Sequence, residues 1–395
     1  MTRKKDSSKN PLNGASNETL NTAPRLLLAW FTQNARDLPW RRSCDPYGIW
    51  ISEIMLQQTQ VKTVIPYWER WMTELPDIKA LAQAPLVKIL KLWEGLGYYS
   101  RARNAQAAAK LIVEKHDGVF PHNFQDVLNL PGIGRYTAGA ICSIAFNMPT
   151  PILDGNVTRV LSRCFGIAGN VKEKATNAQL WNLAQELVKR AESLPDLRLA
   201  GISDCALQIA ENFSYDRTSF AQHTGKSTSL SGNCSALNQS LMELGALVCM
   251  PHQPDCSSCP LNPYCIAHQT NRVDNFPHTA PRPQTVQRRF IAFIVEREQK
   301  FLVQQRPAGV VNGGFWEFPN IEVDLQTTNL DSASKPFQIL GSKPLCKIRH
   351  SIMHYRIQLE VYRADTSKNG TWKSLSQLQA LPMTAAHQKI LKHLV

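Results

Sequence analysis

Four cysteines lie close together in the sequence, at Cys249, Cys256, Cys259 and Cys265. Six, two and five residues separate successive members, so the segment must wrap around one point if all four side chains are to converge. Ligand sets made only of thiolates suit zinc or an iron–sulfur cluster, and the spacing by itself does not separate the two. The alternative is a group of buried cysteines that hold no metal.

A turn that contains glycines, at residues 130–141, is the second segment whose residues could do chemistry. Its sequence, LPGIGRYTAGAI, lies between two segments with a helical pattern. Gly132 and Gly134 permit a tight turn, and a helix that begins near Arg135 adds the positive end of its dipole, so backbone N–H groups can bind a phosphate there. The pattern predicts a helix-hairpin-helix that positions the protein on DNA and reads no sequence. The alternative is an ordinary connection between two helices.

Two carboxylates stand in short segments of mixed polar and apolar residues. On a helix, Glu53 would share a polar face with Gln57 and Gln60, and this pattern by itself favours a solvated side chain. Asp154 comes just before a helical run, where the sequence Asp-Gly-Asn favours a helix N-cap. The pattern alone assigns no reaction to either residue.

The composition limits what the partner can be. The chain has 395 residues, of which 43% are apolar, so two or three domains with their own cores are expected. A formal net charge of +13 indicates a polyanionic partner, either nucleic acid or an anionic membrane surface. There is no run of about 18 apolar residues and no apolar core of a secretory signal. With ten cysteines, this predicts a cytoplasmic, DNA-associated protein in a reducing compartment.

The elements that must position these residues change along the chain. From residue 24 to about 190, apolar positions recur three and four apart, which predicts many short helices joined by turns. Polar residues interrupt this pattern at 195–235, where Thr224–Cys234 has the composition of a loop. The later predicted elements are a helix at Leu237–Val248, a proline-rich linker at 276–287, strands at Phe290–Val295, Phe301–Gln305 and Ile357–Tyr362, and a short helix at His387–Val395.

Several of these segments resemble one family. The spacing of the four cysteines, and the LGALVC run at 244–249 that enters it, are similar to the cluster loop of the endonuclease III and MutY superfamily. The SEIMLQQT run at 52–59 is similar to MutY, the family of adenine DNA glycosylases. The resemblance covers about residues 24–395 apart from 196–235, where relatives have a much shorter connection. It implies that the four cysteines hold a [4Fe–4S] cluster rather than zinc.

The resemblance implies a multidomain fold. Ahead of the resembling segment, the polar composition of residues 1–23 predicts a disordered tail. Residues 24–275 would form an all-α helix-hairpin-helix glycosylase domain, with an iron–sulfur cluster subdomain at 249–265. The linker at 276–287 would lead to a C-terminal α+β Nudix-like domain at 288–395.

The resemblance also implies a reaction. Enzymes of this family hydrolyse the N-glycosidic bond of adenine mispaired with 8-oxoguanine or guanine in double-stranded DNA. Glu53 matches the acid that protonates the departing adenine, and Asp154 matches the residue that stabilises the oxocarbenium ion left on the sugar. Tyr136 and Asn156 match residues that support Asp154 and the departing base. Related enzymes that also cut the strand have a lysine at the position of Tyr136, so this chain is expected to be monofunctional.

Further residues match family positions that contact DNA. Arg41 matches an active-site neighbour, and Gln58 and Thr59 match positions that approach the mispair. Tyr98 matches a side chain that wedges beside the orphaned base, although by itself it would be predicted to be a buried core aromatic. Two arginines that follow Tyr98 are expected close to phosphates. The full set of implied DNA-binding residues is Arg41, Gln58, Thr59, Tyr98, Arg101, Arg103, Gly132, Gly134, Met353 and His354.

The C-terminal domain departs from the family at its lesion-reading hairpin. The GFWEFP run at 314–319 resembles the Nudix-related domain that recognises 8-oxoguanine, and Asp324–Ser334 lacks the paired glutamates of a pyrophosphate hydrolase. The family's hairpin carries Phe-Ser-His, whereas residues 352–354 are Ile-Met-His. Met353 offers a weak acceptor in place of a hydroxyl, which predicts a weaker preference for 8-oxoguanine over guanine. The alternative is a shifted loop in which Ser351 supplies the hydroxyl.

Two other functions are alternatives to this interpretation. One is an endonuclease III-like glycosylase-lyase that acts on damaged pyrimidines, against which Tyr136 and the C-terminal domain argue. The other is a cluster-bearing DNA-binding protein without activity, against which the retention of Glu53 and Asp154 argues. A monomer is expected because one chain supplies every part of the site.

Overall fold

The computed structural model describes residues 14–195, 232–279, 284–307, 309–328, 330, 334–352 and 354–394. The α-helices of these residues are α1 Gly14–Asn34, α2 Pro46–Leu56, α3 Val61–Glu74, α4 Ile78–Gln83, α5 Leu86–Trp93, α6 Ser100–Lys115, α7 Phe124–Leu128, α8 Arg135–Phe146, α9 Gly155–Cys164, α10 Lys174–Glu192, α11 Asn233–Leu247, α12 Ile266–Gln269, α13 Leu375–Ala380 and α14 Ala385–Leu391. The strands are β1 Val286–Ile294, β2 Glu296–Arg297, β3 Lys300–Gln305, β4 Trp316–Glu317, β5 Asn320–Val323, β6 Phe337–Ile339, β7 Cys346–Ile352, β8 Tyr355–Thr366 and β9 Thr371–Ser374.

The chain divides into two compact units. The first combines Met1–Gln58 with Val119–Ala280, and the second combines Thr59–Gly118 with Pro281–Val395. Helices α3–α6 therefore cluster with the C-terminal strands, whereas the predicted domain division placed them with the other helices.

The first unit is built around an apolar core shared by α1 and α8–α11. Apolar side chains of α10 that recur three and four residues apart, among them Leu180, Leu183 and Leu187, are all buried in it. This is the pattern of an amphipathic helix that covers a core, and it confirms the helical pattern expected from the sequence.

Helix α1 begins earlier than the sequence indicated. It starts at Gly14 and runs through Pro24, so the expected disordered tail is wrong for residues 14–23. Leu20 and Ala23 are buried in the core of the first unit, and this burial offsets the entropy lost when a polar segment becomes ordered. Residues 1–13 lie outside the described part of the chain.

Helix α11 also starts earlier than expected. It begins at Asn233 rather than Leu237, so the last residues of the predicted loop Thr224–Cys234 are helical. Cys234 is buried in the core beside Leu237, which explains why the helix extends into a segment of loop composition. Residues 196–231 of the expected insertion lie outside the described residues.

The strand-rich part of the second unit contains a mixed sheet. Its order is β5-β1-β8-β6, and β7 also pairs with β8. Strands β1 and β8 are parallel, whereas β1 and β5 are antiparallel. Alternate residues of β1 enter two different cores: Ala292 and Ile294 face one, and Ile291 and Phe293 face the other. Beside this sheet, β3 pairs with β2, β4 and β9.

The predicted strands and the last predicted helix are confirmed. Their bounds are those of β1, β3 and β8, which are longer than the predicted segments, and of α14, which ends at Leu391. Within the described ranges, no helix has both the length and the apolar character needed to cross a membrane.

Candidate active site and DNA-binding elements

Glu53 lies in α2, a helix that is buried along almost its whole length. The expected solvated polar face is wrong, because α2 ends at Leu56 and both Gln57 and Gln60 lie beyond it. Only 5% of Glu53 is exposed, and its Oε2 accepts a hydrogen bond of 2.8 Å from the hydroxyl of Tyr136. The structure therefore brings two of the four predicted catalytic residues into contact.

Burial raises the pKa of Glu53 to about 7. Loss of hydration is the main cause, and the negative charge of Asp154 acts in the same direction, whereas the hydrogen bond from Tyr136 and the charge of Arg41 oppose it. At neutral pH roughly half of the Glu53 carboxyls therefore carry a proton, which is the state that a general acid needs.

Asp154 is the N-cap of α9, as its sequence context predicted. Its Oδ1 accepts from the backbone N–H of Val157 at 2.7 Å, and its Oδ2 accepts from Nδ2 of Asn156 at 3.1 Å. Burial raises the pKa of Asp154, while these hydrogen bonds favour the ionised form. The site thus holds one carboxyl whose pKa lies near neutral pH and a second whose two oxygens each accept a hydrogen bond.

Arg159, which the sequence reasoning missed, holds Asn156 in place. Its Nη2 donates to Oδ1 of Asn156 at 2.9 Å and to the carbonyl of Gly245 at 2.7 Å, and its Nε donates to the carbonyl of Cys249 at 2.7 Å. A Cβ at position 245 would lie 2.6 Å from the Cβ of Asn156, so this close approach requires glycine. The available sequence signal was an arginine placed among the apolar residues of the helical run at 155–164.

Glu243 is a second residue that the sequence reasoning missed. Only 1% of its side chain is exposed, and its carboxylate pairs with Arg36 at 2.8 Å and with Arg41 at 3.0 Å. Although burial acts to raise the pKa of Glu243, the hydrogen bonds from the two arginines lower it to about 2. The guanidinium of Arg41 is held inside the first unit by this pair. Its place beside the active site agrees with its effect on Glu53, and its contact with DNA stays a prediction.

The predicted hairpin is confirmed. It connects α7 to α8, and α8 begins at Arg135 as expected. Gly132 has a φ of +77°, a conformation that favours glycine, and Gly134 caps α8 with open space where a Cβ would be. The first amides of α8 have no carbonyl within the helix to bond, so they are available to an anion.

Tyr98 lies in the second unit and is exposed over 50% of its surface. The alternative of a buried core aromatic is therefore wrong for Tyr98. The neighbouring Tyr99 takes that place, since it is buried and its ring lies 3.9 Å from the ring of Phe315. Tyr98 also has a φ of +45°, a backbone conformation that residues other than glycine rarely adopt.

The two arginines that follow Tyr98 contact carbonyl groups of the same unit. Arg101 is 8% exposed and donates to the carbonyls of Leu96 and Gly97, both at 3.2 Å. Arg103 is half-buried and donates to the carbonyl of Gly313 at 2.8 Å. In this structure these hydrogen bonds direct both guanidinium groups towards the protein, and the phosphate contacts stay a prediction.

The remaining predicted DNA contacts belong to both units. Gln58 is exposed with a φ of +58° and ends a segment of the first unit, and Thr59 begins the second unit. His354 stands in the turn between β7 and β8, with its ring 4.1 Å from that of Tyr355. Met353 lies outside the described residues.

The four clustered cysteines line one cavity. Within the described part of the chain, no group of three or more His, Cys, Asp or Glu side chains is arranged to hold a metal ion. Arg163 fastens the surrounding loop, because it donates to the carbonyl of Met250 at 2.7 Å and to Sγ of Cys249 at 3.4 Å. A cavity lined by thiols and a guanidinium suits an anionic group with sulfur ligands better than a small hard cation.

Comparison with known proteins gives the family. Residues 51–186 match the HhH-GPD superfamily of base excision DNA repair proteins, and residues 291–393 match the NUDIX domain. The adenine DNA glycosylase of Buchnera aphidicola subsp. Schizaphis graminum is 31% identical over 388 residues, which cover 95% of this chain and 99% of that protein. The chain belongs to the adenine DNA glycosylase family.

Two further similar proteins agree with this membership. The human adenine DNA glycosylase is 32% identical over a region that covers 85% of this chain and 65% of that protein. The structure of a thermostable thymine-DNA glycosylase aligns with a TM-score of 0.50 and 25% identity over 65% of this chain and 99% of that one. The predicted fold class, a helical glycosylase domain with a Nudix-like domain, is confirmed, and this family member is a glycosylase whose partner is DNA.

Proposed function

We propose that the chain hydrolyses the N-glycosidic bond of adenine mispaired with 8-oxoguanine or guanine, with Glu53 as the general acid. The observation that carries this proposal is the state of Glu53, which is buried, bonded to Tyr136 and raised in pKa to about 7. The names of the similar proteins support adenine as the base that is removed.

Glu53 supplies the proton that adenine needs in order to leave. Adenine leaves poorly as an anion, so a proton must reach one of its ring nitrogens as the bond breaks. A carboxyl with a pKa of about 7 retains this proton at physiological pH and is still acidic enough to transfer it. Tyr136, whose hydroxyl donates to Oε2, fixes the carboxyl so that its other oxygen can face the base.

Asp154 stabilises the positive charge that remains on the sugar. Departure of adenine leaves an oxocarbenium ion, and a nearby carboxylate lowers the energy of that state before water completes the hydrolysis. The amide of Asn156 and the backbone of α9 hold the carboxylate in one orientation. Tyr136 in place of a lysine means that no amine at this position can form a Schiff base, so the strand stays intact.

DNA is held by several elements of the two units. The amides at the start of α8 bind phosphate at the hairpin with Gly132 and Gly134. Gln58, Thr59 and the exposed ring of Tyr98 approach the mispair, since adenine must leave the helix to be reached. His354 belongs to the hairpin that senses 8-oxoguanine. A monomer supplies all of these contacts.

The four cysteines are proposed to hold a [4Fe–4S] cluster. The support is the chemistry of the donor set, four thiols around one cavity, with a guanidinium against Sγ of Cys249. When bound, the cluster would order the loop at 249–265. The chain's own residues, Arg159 and Arg163, connect that loop to α9.

One experiment tests the proposed function. The protein is incubated with duplexes that carry adenine opposite 8-oxoguanine, adenine opposite guanine, uracil, or an oxidised pyrimidine, and base release is measured with and without alkali. We expect release of adenine alone, and strand breaks only after alkali. Release of an oxidised pyrimidine with direct strand cleavage would favour the glycosylase-lyase, and binding without any base release would favour the inactive DNA-binding protein.

A further inference from the structure

Glu94 is a buried carboxylate that no step of the proposed reaction uses. It caps the end of α5, and only 6% of its side chain is exposed. Its Oε1 accepts from the backbone N–H of Met383 at 2.7 Å, and its Oε2 accepts from Nε2 of Gln388 at 3.0 Å and from Nζ of Lys91 at 2.8 Å. A charged group is buried in this way only where its hydrogen bonds compensate for the lost water.

Further contacts join the same segment to the C-terminal residues of the second unit. Lys91 also donates to the carbonyl of Leu381 at 3.1 Å. The ring of Tyr99 packs against Phe315, and Arg103 donates to the carbonyl of Gly313. These contacts of Glu94, Tyr99 and Arg103, which we call the loop clamp, lie on both sides of Tyr98 in the sequence.

The segment between the clamp residues is also fixed from within. The hydroxyl of Tyr67 donates to the carbonyl of Glu94 at 2.8 Å, and Nε1 of Trp93 donates to the carbonyl of Gly97 at 3.1 Å. Tyr98 itself is half exposed and has a positive φ. An exposed aromatic side chain persists in such a backbone conformation only when its surroundings determine it, and such residues concentrate at functional sites.

We propose that Glu94 is a positioning residue, and that the loop clamp holds Tyr98 in the orientation in which its ring enters the DNA stack. The C-terminal residues thereby act on the wedge directly, in addition to contacting the base opposite adenine. This assignment rests on the proposed role of Tyr98 as the residue that wedges into the DNA. It explains why the carboxylate of Glu94 is buried although Glu94 takes no part in the chemical step.

Glu94→Gln is the sharpest perturbation of the clamp. The amide can still accept from Met383, but its NH2 group then faces the donors of Gln388 and Lys91, so those two contacts are lost. Glu74→Gln is the matched control, because Glu74 is an exposed partner of Lys88 in the same unit. Gln388→Ala is the second clamp variant, since Gln388 is exposed on α14 and its removal should leave the fold intact.

The first readout is unstacking, which does not depend on adenine release. A duplex carries 2-aminopurine beside the base opposite adenine, and its fluorescence is followed with every variant at saturating protein. We expect a strong rise with the parent and with Glu74→Gln, little or no rise with Tyr98→Ala and with Glu94→Gln, and a reduced rise with Gln388→Ala. If Glu94→Gln melts at a lower temperature, the result for Gln388→Ala decides.

The second readout is the single-turnover rate of adenine release in a double-mutant cycle. Glu94→Gln and Tyr98→Ala should each reduce the rate about tenfold, and the double variant should also lose about tenfold, because both changes remove the same positioned ring. A hundredfold loss in the double variant, or full unstacking with Glu94→Gln, would overturn the proposal. If the parent releases no adenine at all, the proposed function fails, and the fluorescence measurement still tests the clamp.

Discussion

Glu53→Gln should increase the stability of the protein while it removes the activity. The folded protein raises the pKa of this carboxyl from 4.5 to about 7. At 1.36 kcal/mol for each pKa unit, ionised Glu53 destabilises the folded state by roughly 3 kcal/mol relative to its protonated form. Glutamine is neutral at every pH and has an oxygen that can accept from Tyr136, so the variant does not incur this cost.

The sign of the effect fixes its dependence on pH. The pKa of Glu53 is higher in the folded than in the unfolded protein. Its contribution to the free energy of unfolding is therefore fully present below pH 4.5 and is lost as the pH rises through about 7. The advantage of Glu53→Gln in the free energy of unfolding should therefore grow from about 1 kcal/mol at pH 5.5 to about 3 kcal/mol at pH 8.5. The single-turnover rate of the parent should fall about tenfold per pH unit above pH 7, because only the protonated carboxyl is an acid.

Urea unfolding at the two pH values and adenine release under single-turnover conditions measure both effects. Glu74→Gln serves as the control, because Glu74 is exposed and its pKa is lowered by Lys88 rather than raised. Glu53→Gln should bind the mispaired duplex almost as tightly as the parent. If the variant is no more stable than the parent at pH 8.5, burial does not raise this pKa, and if it retains turnover, Glu53 is not the acid.

Three further predictions concern the cluster, the strand and the lesion. The purified protein should be brown, with about four iron atoms and four sulfides per chain, and Cys256→Ser should lose iron and DNA affinity; one zinc in a colourless protein would contradict this. Because residue 136 is a tyrosine, borohydride should trap no protein–DNA adduct, and an efficient adduct would reveal an amine nucleophile elsewhere. Met353→Ser should raise the ratio of rates on adenine opposite 8-oxoguanine and opposite guanine several-fold, as one added neutral hydrogen bond contributes about 1 kcal/mol. If that ratio is unchanged and Ser351→Ala lowers it, Ser351 supplies the hydroxyl.

Local sequence patterns predicted well those helices, strands and turns whose conformation depends on neighbouring residues. The turn with Gly132 and the start of α8 follow from backbone conformations that few other residues adopt. The alternation of β1 and the N-cap at Asp154 are local in the same sense. The starts of α1 and α11 were predicted too late, because segments of polar composition are ordered there by burial against distant helices.

The sequence by itself determined which residues are present for the chemistry. The spacing of the four cysteines, the tyrosine at 136 and the two carboxylates can be read directly along the chain, and so can the family that they resemble. These features are fixed by residue type and by separation along the chain.

Only the tertiary structure decided how these residues behave. The pKa of Glu53 depends on how much water reaches it, and the packing of the first unit around α2 excludes that water. Arg41 and Arg101 looked alike in sequence as cations for DNA, but one is paired with Glu243 and the other is bonded to loop carbonyls. Solvation and charge pairing are set by residues that are distant in the chain and close in space, so no local pattern contains them.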